Sequence, residues 1–242
     1  HQIRLCGIWW YRCAYEVLKN IPCNSFDVLE YVLRGGYPEP SLANDEKFYN
    51  AWMENYFKTY INRDVKKLFP KLDSVKFRRF ISILSGLSGT VINKAAVARS
   101  LDINEVTVRD YLEIAHKTFI WRQIQPFESS KIKSIIKMPK GQFRDSGLNH
   151  YLANVVTRKQ LLSSSTLGFE FESFVFEELI KGMHATDIPK WEYFYYRTRN
   201  GSEVDIVFEG SFGILPIEIK FGTRTTLKQL TSIRKFVSDN NL

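Results

Sequence analysis

The sequence predicts an α+β protein in which a helical region precedes a small sheet. From about residue 45 to 116, apolar residues recur every three or four positions, as they do in amphipathic helices. From 203 to 220, in EVDIVFEGSFGILPIEIK, apolar and polar residues alternate instead, which is the period of β-strands. Of the 242 residues 44% are hydrophobic, which is enough to fill one or two cores.

Charge and cysteine content favour an intracellular protein with a polyanionic partner. The formal net charge of +8 favours contact with nucleic acid over solubility alone. Cys6, Cys13 and Cys23 lack C-x-x-C spacing, so reduced thiols are expected rather than a zinc site. No apolar run approaches the roughly 18 residues of a membrane span, and a cytoplasmic location is expected. The chain opens on His1, so we expect an upstream segment.

The first predicted segment, residues 1–75, contains a long amphipathic helix. Asn44 offers its N-cap and Pro70 stops it. Its aromatic stripe indicates core packing rather than a platform for stacked bases, which usually lies on a sheet or in an open groove. Residues 1–26 show no clear periodicity.

The sequence of residues 76–162 predicts a winged-helix-like module. Three helices between 76 and 116, the last two joined by the turn 102–104, form a helix-turn-helix. A strand at 119–124 and a hairpin-like return at 131–143 would supply the wing.

The presumed recognition helix argues against sequence-specific reading of DNA. It exposes Arg109, but also Glu105, Asp110 and Glu113, which phosphates would repel. Basic residues cluster elsewhere, where they suit contacts to the nucleic-acid backbone. We predict such contacts on the wing from Lys131, Lys133, Lys137, Lys140 and Arg144. A second basic cluster, around the long helix between Lys58 and Arg79, is explained equally well by a solvated face.

The third predicted segment, residues 163–242, holds the candidate site. Asp205 lies in the first run of the hairpin, and Glu218 and Lys220 in the second. The loop 209–213, with two glycines, is expected to join the runs, so the three side chains can converge opposite the apolar face.

The helix predicted over 168–183 carries four glutamates. At about 100° per residue only Glu172 falls within the apolar arc, while Glu170, Glu177 and Glu178 fall outside it. A carboxylate there needs a partner or a cation. A salt bridge at the helix edge and a metal site both remain open.

This order of elements over residues 168–238 resembles the core of the PD-(D/E)xK nuclease superfamily. The resemblance implies a small mixed sheet, a catalytic set of Asp205, Glu218 and Lys220, and metal ligation by Asp205, Glu218 and Glu172. Gln229 weakly matches a helix glutamine of some branches. The implied cofactor is Mg²⁺, which prefers hard oxygen ligands and activates water for phosphodiester hydrolysis. Lys220 would orient that water and stabilise negative charge. A simple cross-strand salt bridge also explains the spacing.

A wider resemblance runs from about residue 35 to 220. GGYPEP, W-x₃-Y-x₃-YINRDV, TVRDYLEIAHKTFI, FRDSGLNHYL, GFEFESFV and YYRTRNGSEVDIVFE resemble the carboxy-terminal region of bacterial and archaeal AAA-type ATPases, generally catalogued as a domain of unknown function. The resemblance implies an ATPase half as partner, with residues 1–75 as its remnant or lid. The chain has no G-x₄-G-K-[ST] motif, so ATP is expected only through the missing half.

Two functions remain open. The first is a nucleic-acid-facing module that binds DNA and cleaves phosphodiesters with Mg²⁺. The second is a catalytically inert interaction or regulatory module that pairs with the ATPase half. A divalent ion between Asp205 and Glu218 would favour the first, whereas a direct ion pair between Glu218 and Lys220 would weaken it.

Overall fold

A computed structural model describes residues 27–43, 45–128, 138–222 and 230–242, and these residues form the mixed α+β fold that the sequence predicts. The helices among them are α1 (Val28–Arg34), α2 (Pro38–Leu42), α3 (Glu46–Thr59), α4 (Lys66–Leu68), α5 (Ser74–Ser85), α6 (Lys94–Leu101), α7 (Glu105–Lys117), α8 (Ser146–Leu152), α9 (Arg158–Ser163), α10 (Leu167–His184) and α11 (Thr231–Asn240). The strands are β1 (Thr90–Val91), β2 (Trp121–Ile124), β3 (Lys140–Phe143), β4 (Trp191–Arg197), β5 (Glu203–Gly210) and β6 (Gly213–Ile217). Within this part of the chain, no helix has the length and apolar character needed to cross a membrane.

The chain divides into two compact units, each made of separate segments. The helical unit comprises Val28–Gln123 and Lys140–Glu177, and the sheet unit takes the described residues of His1–Asp27, Ile124–Pro139 and Glu178–Leu242. The boundary predicted near Ser163 lies within the helical unit. As separate domains, the segments 1–75, 76–162 and 163–242 stay predictions.

The long aromatic helix of the helical unit is less regular than its periodicity suggests. Asp45 is its N-cap, and its carboxylate accepts hydrogen bonds from the backbone of the first turn. The predicted cap, Asn44, lies outside the described residues. A π-helical segment, Tyr60–Val65, separates α3 from α4, and the helix ends at Leu68, before Pro70. The predicted core face is buried in part: Met53, Ile61 and Val65 are fully enclosed, whereas Phe48 and Leu68, near its two ends, are exposed.

Helices α5, α6 and α7 are followed by β2 and β3, which is the predicted order, and β1, between α5 and α6, completes a sheet of strand order β1-β3-β2. The assignment of this region as a winged-helix-like module stays a prediction. The side chains of Asn93 and Asn104 cap α6 and α7, and Asp102 makes the turn between them with a φ of 51°. Strand β1 was not predicted, because two residues are too short for a period-two pattern to register. Residues 131–137 of the predicted wing lie outside the described part.

A close contact joins the end of α1 to the start of α8. The carboxylate of Asp145 caps α8 through the backbone N–H of Leu148 at 2.8 Å and accepts a second bond from Gly36 N–H at 2.7 Å. A Cβ on Gly147 would lie 2.0 Å from the carbonyl oxygen of Arg34. Glycine is therefore required for the two backbones to approach this closely.

The sheet unit has strand order β4-β5-β6, and both pairings are antiparallel. The predicted mixed sheet is wrong for these strands, because connections this short can only reverse the chain. An isolated parallel bridge, Pro126 to Tyr195, lies outside the named strands. The β5–β6 turn is two residues, shorter than predicted, and of its flanking glycines only Gly213 has positive φ. Helix α11 packs on the sheet through Phe236.

Candidate functional site

Asp205 is held rigidly in the central strand of the sheet unit. All five residues from 204 to 208 are buried, and β5 is the central strand, paired with β4 on one edge and β6 on the other. Pairing of Ile206 with Ile217 brings Asp205 beside Glu218, which directly follows β6. The backbone N–H of Ile219 donates to Oδ2 of Asp205 at 2.7 Å. The carboxylate is thus 5% exposed and anchored on one oxygen.

Lys220 joins the two carboxylates, so the three residues predicted to be catalytic do converge. Its Nζ lies 2.6 Å from Oε1 of Glu218 and 3.5 Å from Oδ2 of Asp205. The lysine side chain is 35% exposed, whereas the Glu218 side chain is 12% exposed. The cluster therefore has buried acids and an ammonium group that reaches solvent.

Glu218 is the least satisfied member of the cluster. Burial raises its pKa to about 7, the negative charge of Asp205 adds to the rise, and the hydrogen bond and charge of Lys220 partly offset it. Its Oε2 is buried and has no hydrogen-bond partner among the described residues. A buried carboxylate oxygen in this state favours a proton or a cation.

Glu203 belongs to the same electrostatic group, and the sequence analysis missed it. It lies two residues before Asp205 on β5 and therefore on the same strand face. Its carboxylate pairs with Nε of Arg197 at 3.6 Å, and its charge also raises the pKa of Glu218. The signal in the sequence was the E-x-D spacing within one strand.

Asp205 and Glu218 could supply some, but not all, of the ligands of a hard divalent cation. Asp205 and Glu218 offer neighbouring carboxylates, and the orphaned Oε2 is a ready oxygen ligand. No group of three or more His, Cys, Asp or Glu side chains able to hold a metal ion occurs in residues 27–43, 45–128, 138–222 and 230–242. Glu172 as a third ligand therefore stays a prediction.

Glu172 lies in the helical unit, where its carboxylate is 3.9 Å from Nζ of Lys140 and its side chain is 17% exposed. The prediction that it alone points inward is wrong, because Glu170 and Glu177 are more deeply buried. Each has a partner distant in sequence: Glu170 faces His150 at 3.4 Å, and Glu177 binds Arg122 at 2.6 and 2.9 Å. Periodicity on one helix cannot detect such partners.

The five basic residues that were predicted to contact nucleic acid from the wing differ in their surroundings. Lys140 is buried in β3 and paired with Glu172, so its ammonium group does not lie on the exposed surface that contact with phosphate requires. Arg144 is half-buried, with its guanidinium 4.8 Å from the centroid of the Phe119 ring. Lys131, Lys133 and Lys137 lie outside the described residues, as does Gln229.

Helix α7 presents charges that pair locally. Nζ of Lys117 is 2.6 Å from Oε1 of Glu113, and Nε of Arg109 is 3.9 Å from Oδ1 of Asp110. These exposed pairs leave little excess positive charge on the helix. That it does not read base sequence stays a prediction.

Comparison with known proteins gives families without assigned function. Residues 25–159 match the model described as Domain of unknown function (DUF8612), and residues 167–241 match Domain of unknown function (DUF4143). The second domain is found in AAA-ATPase-associated proteins. This agrees with the association with AAA-type ATPases that the sequence resemblance implies.

The curated relatives are uncharacterized. Rv2008c of Mycobacterium tuberculosis and Mb2031c of Mycobacterium bovis are each 31% identical over 188 residues, which is 78% of this chain and 42% of theirs. The chain thus spans less than half the length of these relatives. No solved structure matches. Because the first family model covers more than half of the chain, the protein belongs to the family described as Domain of unknown function (DUF8612).

Proposed function

We propose that the chain is the nucleic-acid-facing portion of an AAA-type ATPase and hydrolyses phosphodiester bonds of DNA with Mg²⁺ at Asp205, Glu218 and Lys220. The observation that carries the proposal is the convergence of two adjacent, largely buried carboxylates and one solvent-reaching lysine. A buried carboxylate oxygen with no hydrogen-bond partner in the described part of the chain gives the cluster a physical reason to take up a cation.

Each residue has a distinct role in this proposal. Asp205 and Glu218 would hold Mg²⁺, which when bound polarises the phosphate and lowers the pKa of its water. Asp205 keeps its position through the backbone N–H of Ile219. Lys220 would release Glu218 when the cation compensates that carboxylate, which frees its ammonium group to orient the attacking water and stabilise negative charge on the phosphate.

The partners of this activity follow from charge and from resemblance. A net charge of +8 favours a polyanion such as DNA. The AAA-type resemblance supplies the second partner, the ATPase half of the same protein, through which ATP would act.

A second candidate is an inert module that binds the ATPase half or a regulatory protein. The direct contact of 2.6 Å between Lys220 and Glu218 favours it, because a closed ion pair can serve structure alone. The locally paired charges of α7 favour it as well.

Cleavage assays separate the two candidates. Labelled single-stranded, duplex and branched DNA would be incubated with Mg²⁺ or Mn²⁺ and with wild type, Asp205→Asn or Glu209→Gln. Glu209 is an exposed carboxylate on the same strand and serves as the matched control. Cutting that needs metal and is lost only in Asp205→Asn supports the nuclease. An absence of cutting in all three proteins, with folding intact, contradicts cleavage by this chain and favours the inert module.

A further inference from the structure

The corner where α4 turns into α5 carries a dense run of positive charge. Residues 66–79 contain six basic residues and a single acid, Asp73. Four of the basic side chains are exposed, and we call them the corner surface: Lys67, Lys71, Lys76 and Arg79. Sequence reasoning alone explained this charge equally well by a solvated face, so the contacts of the folded chain have to decide its role.

The backbone of the corner is fixed by hydrogen bonds. The N–H of Leu72 donates to the carbonyl of Phe69 at 3.0 Å, which closes the turn. Nζ of Lys66 donates to the carbonyl of Leu72 at 2.7 Å and ties the end of α4 to the same turn. Phe77, on the inner face of α5, is fully buried and anchors the helix in the core. The corner surface therefore presents its cations from a rigid scaffold.

Most of these cations lack a counter-charge. No carboxylate of the described residues forms an ion pair with Lys71, Lys76 or Arg79. The one acid of the segment, Asp73, accepts hydrogen bonds at 3.0 Å from the backbone N–H groups of Val75 and Lys76. Its carboxylate is therefore engaged as the N-cap of α5.

Other exposed cations of the helical unit have a carboxylate beside them. The pairs, with the distances between their charged atoms, are Lys58 with Glu54 at 2.6 Å, Lys117 with Glu113 at 2.6 Å, and Arg63 with Asp64 at 2.7 Å. The hydrogen bond from Arg63 lowers the pKa of Asp64, and the charge of Lys67 adds to this effect. Because Asp64 is already bound to Arg63, it offsets the charge of Lys67 only in part.

Like charges gathered in this way cost stability. Lys76 and Arg79 lie three positions apart on α5, so they occupy the same side of the helix and repel each other. Leu68 and Val75, each 65% exposed, supply neutral neighbours but no counter-charge. A face that serves solubility alone is expected to mix charges of both signs. A bound polyanion would remove the repulsion.

The corner surface suits phosphate groups better than the wing or α7 does. Lys140 of the predicted wing is buried and lies 3.9 Å from Glu172, whereas Arg109 and Lys117 of α7 each lie beside an acid. A DNA duplex carries one negative charge per about 1.7 Å of its axis, so one cluster of cations can reach several phosphates. Charge and exposure thus both favour a polyanion at the corner.

We propose that the corner surface binds the phosphodiester backbone of DNA, with Lys71, Lys76 and Arg79 each contacting a phosphate and Lys67 adding to the positive potential. The proposal rests on the nucleic-acid part of the proposed function but not on cleavage. Contacts to phosphates position a duplex without reading its bases. The helical unit would therefore hold DNA independently of sequence.

The test is fluorescence anisotropy of a short labelled duplex, measured in EDTA at several salt concentrations. The variant that combines Lys71→Gln, Lys76→Gln and Arg79→Gln should lower the slope of log affinity against log salt by about 2.7, which is 0.9 for each lost phosphate contact. At physiological salt it should bind roughly a hundredfold more weakly. Its Tm should equal or slightly exceed that of wild type, because the replaced side chains are exposed and repel one another.

A matched control removes three cations that have acidic partners. The variant that combines Lys58→Gln, Arg109→Gln and Lys117→Gln lowers the net charge by the same amount and should change the slope far less. A second control combines Leu68→Ser with Val75→Ser and keeps every charge. It should bind DNA like wild type, because phosphate contacts do not need the aliphatic side chains.

Contrary outcomes separate this proposal from the proposed function. An unchanged slope in the corner variant would overturn the corner surface and leave the proposed function standing. Equal losses in the corner variant and its matched control would show that binding follows net charge alone, which also overturns the site. Weaker binding in the Leu68 and Val75 variant would overturn a contact made through phosphates only.

Two results concern the wild type. If it binds no DNA, both this proposal and the nucleic-acid part of the proposed function fall. Vesicles that contain phosphatidylserine are then the next probe, and binding to them would assign the corner surface to an anionic membrane. If wild type binds DNA through the corner surface but does not cut it with Mg²⁺, the corner surface stands and cleavage fails.

Discussion

Nζ of Lys220 lies 2.6 Å from one carboxylate oxygen of Glu218, while the other oxygen of Glu218 is buried without a hydrogen-bond partner among the described residues. The lysine thus compensates only half of the carboxyl group, and the adjacent charge of Asp205 opposes it. The cluster favours one more positive charge, which a proton or a metal ion can provide.

Stability should fall with rising pH because of Glu218. Its pKa rises from 4.5 to about 7 on folding, so the folded protein holds a proton that the unfolded chain releases. This contribution is complete below about pH 4.5 and is lost as the pH rises through 7. Glu218→Gln, which is always neutral, should raise the free energy of unfolding at pH 8 by about 1–2 kcal/mol. Urea unfolding at pH 5 and pH 8 measures the effect.

The control for this titration is Glu209→Gln, which removes an exposed carboxylate from the same strand. In this variant the free energy of unfolding should depend on pH as it does in wild type. If the Glu218 variant also keeps that dependence, Glu218 is not the titrating group.

A divalent cation should compete with the proton on Glu218. Mn²⁺ or Mg²⁺ is expected to raise the Tm of wild type, and more at pH 8 than at pH 6, because metal binding requires the ionised carboxylate. At 100 times the Kd the stabilisation would be about 2.7 kcal/mol. Asp205→Asn should abolish it. Equal shifts in wild type and variant would show that the metal binds elsewhere.

The buried pair of Arg122 and Glu177 should be costly to break from one side. Both residues are under 10% exposed, and Nε2 of Gln142 donates to the same carboxylate at 2.9 Å. Arg122→Met leaves a buried charge with reduced compensation, and we expect a loss of about 3–5 kcal/mol in the free energy of unfolding. Replacing both residues, by Arg122→Met with Glu177→Leu, should recover much of it.

A comparison pair is available on α3, where Lys58 and Glu54 are 2.6 Å apart but about half exposed. Lys58→Met should cost no more than about 0.5 kcal/mol. Chemical denaturation of the variants measures both pairs, and similar losses at the two sites would contradict the assigned role of burial.

Gly147 should not tolerate a side chain. Gly147→Ala places a Cβ 2.0 Å from the carbonyl oxygen of Arg34, so one backbone must shift, and we expect a loss of about 2–4 kcal/mol. Gly168→Ala is the matched control, since a Cβ at this position of α10 would have nothing within 4 Å. It should be neutral or gain up to about 1 kcal/mol from helix propensity. Thermal melts of the two variants decide the matter, and equal Tm values would rule out the close approach.

The strands and helices that were predicted correctly follow from the pattern of neighbouring residues along the chain. The strands around Asp205 and Glu218 follow from period-two alternation, and a short turn leaves the chain only one way to pair them. The helices of the helix-turn-helix follow from apolar spacing with Asn93 and Asn104 as caps. The same reasoning missed Glu203, whose part depends on its distances to Arg197 and to Glu218.

The α+β class, the helix-turn-helix order and the grouping of Asp205, Glu218 and Lys220 could be predicted from the sequence, because each depends on neighbours along the chain or across one tight hairpin. The partners of the glutamates of α10 follow from the folded chain instead: Arg122 for Glu177, His150 for Glu170 and Lys140 for Glu172. These partners lie 20 to 55 residues away. The periodicity of one helix records which positions are apolar, but a charged residue becomes buried only where another segment supplies its counter-charge.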